Sequence, residues 1–188
     1  MPKFEQLSLP GAYVITLEPI GDKRGYFVET YRADAYASHG LVTNWLQENQ
    51  SLSSRKYTLR GMHLQMPPHA QTKLFRVLQG AALDVIVDLR VGSPTYGQSA
   101  AVELTEDNNR LIYIPRGFAH GFCTVTEDVI VSYKVDAYYA PQSEAGLLWN
   151  DPALNIDWPC DKPILSEKDG KLPRLAEFES PFEMPAQA

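Results

Sequence analysis

Apolar and polar residues alternate in short runs along most of the chain, a period of two that predicts strands. From Tyr13 the sequence reads YVITLEPI, rich enough in β-branched and aromatic residues for a strand. Gly21 to Gly25 has the composition of a turn, and Tyr26 to Tyr31 reads as the next strand. Arg32 to Gly40 is the one early stretch that reads as a helix, short and closed by glycine. Gln47, Asn49 and Ser51 alternate with Leu46, Glu48, Gln50 and Leu52, which predicts a strand with one polar face. In ALDVIVDL, Leu83, Val85, Val87 and Leu89 share a face. The runs TLRGMHLQ, TKLFRVLQG, SAAVELT, RLIYIP, HGFCTVT and VIVSYKVDAYY are parted by Gly, Pro, Asn or acidic turn residues. Many short strands with no helix between them predict an all-β fold, an antiparallel sandwich or barrel. Beyond Pro141 the tail is Pro-rich and polar, with slight helical content and a short apolar patch at Gly146 to Trp149.

A chain of 188 residues is one domain by size. The pattern divides it into an N-terminal extension (about 1–20), the β-fold, and an irregular C-terminal tail (about 160–188). The net charge of -6 argues against nucleic acid as a partner, because that requires a basic surface. It leaves room for a phosphorylated small molecule held by a few local arginines. No apolar run is long enough to span a bilayer, and MPKFEQLSLPGAY has no apolar core of a signal peptide. Cys123 and Cys160 form no CxxC pattern, which suits idle thiols in a reducing cytoplasm.

The candidate chemistry gathers in LRGMHLQMPPHAQTKLFR, Leu59 to Arg76, where two strands spend many polar groups. Alternation puts His63 and Gln65 on one face and Arg60 on the other, with Lys73 and Arg76 just past the Pro-Pro turn. A bulge at Gly61 would re-aim Arg60 or His63. Isolated strand histidines and tyrosines are more often satisfied core residues than catalysts. The concentration of polar groups around His63 points instead to a cavity, and Tyr133 can offer a phenol to its wall. Tyr138 and Tyr139 follow at the end of that strand, where a ring can stack on a nucleobase.

Pro115-Arg116-Gly117-Phe118-Ala119-His120 resembles the second box of the cupins, double-sheet jelly rolls. Where metal-binding cupins carry His-x-His, this chain reads His63-Leu64-Gln65, and an amide is a poor metal ligand. The expectation is a site with no metal and no other cofactor.

Taken together, DKRGYFVETY, QENQSLS, LRGMHLQMPPHAQTKLFRV, DVIVDLRVGSPTYG, IPRGFAHGF, YKVDAYYAPQSEAG, WNDPALNIDWP and ILSEKD resemble the dTDP-4-dehydrorhamnose 3,5-epimerase family. The resemblance implies a cupin-type jelly roll with a few short helices, a homodimer, and a dTDP-4-keto-6-deoxyhexose substrate. By the same resemblance His63 is the general base, Asp169 its partner carboxylate, Tyr133 the general acid and Lys73 the ammonium beside the ketone. It assigns Arg24, Glu29, Gln47, Asn49, Arg60, His120, Glu144 and Lys168 to binding of the nucleotide sugar, and Tyr139 to stacking on thymine. Met62 and Leu64 stand where the family has Leu and Tyr, beside the base. A single-centre epimerase and a non-catalytic nucleotide-sugar-binding cupin remain the alternatives.

Overall fold

A computed structural model describes residues 2–184, so Met1 and residues 185–188 of the expected domain and tail lie outside the described residues. The chain opens with β1 (Lys3–Gln6), β2 (Tyr13–Thr16), β3 (Ile20–Asp22), β4 (Gly25–Phe27) and the helix α1 (Ala33–Ala37). It continues through β5 (Gln47–Ser53), β6 (Leu59–Gln65), β7 (Lys73–Gln79), β8 (Ala81–Asp88) and β9 (Ser99–Thr105). The last strands are β10 (Arg110–Ile114), β11 (Phe118–Thr124), β12 (Val129–Val135) and β13 (Glu144–Gly146). Short 3-10 turns follow, among them Asp169–Lys171.

These strands build two facing antiparallel sheets, ordered β1-β2-β10-β7-β12-β5 and β13-β6-β11-β8-β9. This is the expected double-sheet jelly roll. Inward-facing residues of both sheets, including Phe75, Ile86, Leu104, Ile112, Phe122 and Val131, fill one end of the space between them. The other end is left to polar side chains. On β5 the polar face predicted by alternation turns inward, while Glu48, Gln50 and Leu52 alternate outward.

Both outer faces are covered in part. α1 and its flanking segments lay Tyr36, Tyr31, Val42 and Trp45 over Ile15, Leu74, Leu111 and Tyr113. The C-terminal tail covers the five-stranded sheet, where Leu147, Leu154 and Phe182 pack on Met62, Val85 and Val87. That burial explains how a segment with little secondary structure keeps one path. Leu83, Val85, Val87 and Leu89 share this outer cluster, as their alternation predicts.

Two elements differ from the sequence reading. The stretch set apart as an N-terminal extension supplies an unexpected β1 beside the strand expected from Tyr13, β2, and the two continue the six-stranded sheet from β10. The strand expected over Tyr26 to Tyr31 stops at Phe27, because β3 and β4 pair only with each other in an exposed hairpin. Beyond it Val28 and Tyr31 leave the ladder to pack on the α1 cluster. Among the described residues no helix is long and apolar enough to cross a membrane.

Candidate active site

Strand β6 is where the site begins. Its register against β11 pairs His63 with His120 and Arg60 with Phe122. Three steps on β6 thus face two on β11, a bulge of one extra residue. The bulge turns Arg60 and His63, which strict alternation would separate, into the same cavity. Gly61 makes this possible at φ +132, and a Cβ there would meet Gly121 Cα at 2.5 Å and His120 O at 2.9 Å.

The backbone N–H of Gly61 donates to Asp169 Oδ2 at 3.3 Å. The other carboxylate oxygen, Oδ1, lies 2.6 Å from His63 Nε2. Asp169 therefore binds both the imidazole and the bulge that aims it. Its own place is set by the tail. Ile164 N donates to Tyr57 O, Leu59 N donates to Ile164 O, and Asp169 N donates to Ser166 Oγ. Burial works to raise the Asp169 carboxyl, but the bonds with His63, Gly61 and Ser166 hold it below the usual carboxylate range. With Nε2–H given to the carboxylate, the His63 lone pair sits on Nδ1.

Tyr133 comes from the opposite sheet. It pairs with Asn49 on β5 and Phe75 on β7, and its ring stacks on Phe75 at 5.9 Å. Burial raises its phenol above the usual range, against the opposing effects of Arg60 and Asn49. Lys73 begins β7 and reaches across to within 3.5 Å of His63 O. Burial lowers its ammonium to about 8, against the pull of Asp84 and Glu144. His120 Nε2 lies 2.8 Å from Asp84 Oδ2, and both residues are buried. Burial lowers the His120 imidazole although Asp84 favours its charged form, so a neutral ring is the stable one.

His63, Lys73, His120 and Tyr133 line a cavity of about 460 Å³ that also takes in Arg60, Lys168 and Asp169. A second lobe of about 330 Å³ shares His63, Lys73 and Tyr133 with the first. Gln47, Asn49, Tyr139 and Glu144 line that lobe. Arg60 is braced by bonds to Ser53 Oγ and Leu52 O, and Lys168 is paired with Glu144. Arg24 and Glu29 line neither lobe. Arg24 pairs with Asp22 in the exposed hairpin, and Glu29 is exposed just beyond it. Among the described residues no three His, Cys, Asp or Glu side chains gather as a metal-binding set.

Asp84 is one site residue that pattern reading does not single out. Its signal is a carboxylate enclosed by the apolar residues of ALDVIVDL, which holds two, Asp84 and Asp88, since a buried aspartate needs a partner. Gln71 is another, because nothing local marks it as different from a surface glutamine.

Comparison with known proteins adds an independent finding. A sequence profile described as dTDP-4-dehydrorhamnose 3,5-epimerase matches residues 6–177. A dTDP-4-dehydrorhamnose 3,5-epimerase from Sinorhizobium fredii is 43% identical over 181 residues, covering 96% of this chain and 93% of that protein. A crystal structure of the Bacillus anthracis 3,5-epimerase, with TDP and PPi bound, superposes with TM-score 0.91 at 45% identity. It covers 93% of this chain and 100% of its own. A Legionella pneumophila dTDP-6-deoxy-D-glucose-3,5-epimerase, in complex with dTDP-4-keto-L-rhamnose, gives TM-score 0.92 at 36% identity. It covers 98% of this chain and all (100%) of the other.

Proposed function

The chain belongs to the dTDP-4-dehydrorhamnose 3,5-epimerase family, and from that membership we propose a specific reaction and division of roles. The enzyme is an isomerase that inverts C3 and C5 of dTDP-4-dehydro-6-deoxy-D-glucose, giving dTDP-4-dehydro-L-rhamnose. One observation carries the mechanism: His63 projects from the five-stranded sheet and Tyr133 from the six-stranded sheet into one cavity.

The ketone at C4 acidifies the C–H bonds at C3 and C5. His63 Nδ1 takes a proton from one face of the sugar, and the electron pair moves onto O4 as an enolate. Asp169 orients the ring and stabilises the imidazolium that forms. Lys73 holds the charge on O4, and a fixed cation in a dry cavity is worth more there than in water. Tyr133 stays protonated at working pH and returns a proton to the opposite face, which inverts the centre. Solvent then takes the proton from His63 and returns one to Tyr133, and with both groups reset the same transfers at the second carbon complete the reaction.

Arg60 and Lys168 are the cations for the diphosphate, with Gln47, Asn49, His120 and Glu144 binding the rest of the nucleotide sugar and Tyr139 stacking on thymine. His120, held neutral with Nε2–H on Asp84, presents Nδ1 as an acceptor for a sugar hydroxyl. No step is routed through a metal. The enzyme works in the cytoplasm as a homodimer, and Arg24 and Glu29 reach the site of the neighbouring subunit.

Proton NMR of dTDP-4-keto-6-deoxyglucose in D2O tests the reading. Deuterium at both C3 and C5 with inversion supports it. Deuterium at one carbon makes the enzyme a single-centre epimerase, and none at either overturns the reaction.

A further inference from the structure

The segment after β12 is held by side-chain amides from three other places in the chain. Ala137 O accepts from Gln71 Nε2 at 2.8 Å, and Tyr138 O from Gln65 Nε2 at 3.3 Å. Tyr139 N–H donates to Gln47 Oε1 at 2.9 Å, and Ala140 N–H to Gln65 Oε1 at 2.8 Å. Gln65 also donates to His69 O at 2.6 Å and is only 5% exposed. The rings it flanks are the reverse, with Tyr138 at 65% and Tyr139 at 55% exposed. A segment with exposed rings and no strand ladder has little packing to fix it. The amides supply what packing does not.

The partners of Gln65 also define what can stand there. Two carbonyl oxygens on one side and an N–H on the other call for two donors and one acceptor. A carboxylate of the same shape would face two carbonyls, and an imidazole has too few groups. This explains in physical terms why an amide occupies the place where a metal-binding cupin carries its second histidine.

We propose that Gln65, supported by Gln71, is a positioning residue for the nucleotide end of the substrate. It holds residues 137–140 so that the Tyr139 ring stands as a fixed platform at the cavity. Gln65 lies two residues from His63 on β6, so the platform is tied to the strand that carries the general base. Through Gln47, whose Nε2 donates to Asn49 Oδ1 at 2.8 Å, it is tied to the residue paired with Tyr133 as well. The inference rests on the nucleotide-sugar reading of the site and goes beyond it.

The experiment is a double-mutant cycle on the full chain, read as KM and kcat for dTDP-4-keto-6-deoxyglucose and Kd for dTDP alone. Gln65→Glu should raise KM and Kd about tenfold, with kcat changed less than about twofold, the scale of one lost base stack. In a Tyr139→Ala background the same substitution should leave Kd unchanged within about twofold, because the platform is already gone. An equal effect in both backgrounds overturns the proposal, as does a fall in kcat at unchanged KM. If Gln65→Glu fails to fold, Gln71→Leu takes its place, with about a threefold rise in Kd expected only when Tyr139 is present. No effect of Gln71→Leu then overturns the proposal. A parent enzyme that neither turns over the ketosugar nor binds dTDP sinks the nucleotide-sugar reading and this inference together. An active parent with unaffected variants sinks this inference alone.

Discussion

A histidine bound through Nε2 to a buried carboxylate can accept a proton only at Nδ1, and the Asp169 contact imposes that condition on His63. Replacing Asp169 with Asn removes the charge that stabilises the imidazolium and frees the ring to choose the wrong tautomer. The expected loss is about 10²- to 10⁴-fold in kcat with little change in KM, measured by steady-state kinetics. His63→Ala should abolish deuterium exchange at both carbons. Tyr133→Phe should retain part of the exchange while losing inversion, since deprotonation survives without the opposite-face acid. Equal loss of both activities in Tyr133→Phe would count against the assigned roles. Lys73 gives a prediction in pH. If its ammonium holds the enolate as proposed, that charge is lost as pH rises through about 8, so kcat should fall on a basic limb there. Stability runs the other way. Because the folded value lies below the unfolded one of 10.5, the unfolded chain binds more protons between the two, and this group's contribution to stability rises with pH. Profiles of kcat and thermal unfolding from pH 7 to 10 check both signs, and a kcat flat across that range removes the Lys73 charge from the mechanism.

At the scale of elements, the site depends on an irregularity in a strand. The β6 bulge brings Arg60 beside His63, and its Gly61 N–H donates to Asp169, so one extra residue aims the imidazole, a cation and the carboxylate. Gly61→Ala places a methyl group against the backbone of β11, at a φ that alanine adopts with strain. A loss of about 2–5 kcal/mol by chemical denaturation is expected, together with loss of activity. Gly21→Ala is the control. Its Cβ would find Gly25 O at an ordinary 3.7 Å, and a change within about 0.5 kcal/mol is expected. This contrast also explains what could be read from the chain alone. Alternation is a local rule, so it marks the longer strands and the inward polar face of β5 but not the short β1, β3 and β13. A bulge breaks that rule, and Gly61 showed only that a break was possible. Asp169 has no period around it, since contacts with Tyr57, Leu59 and Gly61 place it, and only the family resemblance pointed there. The exposed β3–β4 hairpin gives no burial signal at all, so nothing in the pattern marks the end of its second strand at Phe27 rather than Tyr31.

The whole molecule poses a question of assembly. The chain carries a net charge of -6, yet the proposed substrate brings a diphosphate. Within one subunit its cavity offers Arg60, Lys73 and Lys168, and Lys168 is already paired with Glu144. Arg24 stands on a hairpin whose apolar residues Ile20, Tyr26 and Phe27 are 73%, 68% and 71% exposed. Apolar surface of that kind gains from being covered. A homodimer that buries the hairpin against the neighbouring subunit would also carry Arg24 and Glu29 toward its cavity. Complementation tests this directly. His63→Ala and Arg24→Ala chains are each expected to be nearly inactive alone. Co-refolded in equal amounts, half of the dimers pair one chain of each kind. If Arg24 serves the neighbouring site, one of the two sites in each mixed dimer has both residues intact. About a quarter of all sites then work, and activity should return to about a quarter of the parent's. If Arg24 serves its own chain's site, every site in every dimer lacks one residue or the other, and mixing restores nothing. The same mixture run on a sizing column separates a failure of the role from a failure to dimerise. A monomer peak removes the shared site, and an inactive dimer leaves the assembly in place but returns Arg24 to its own subunit.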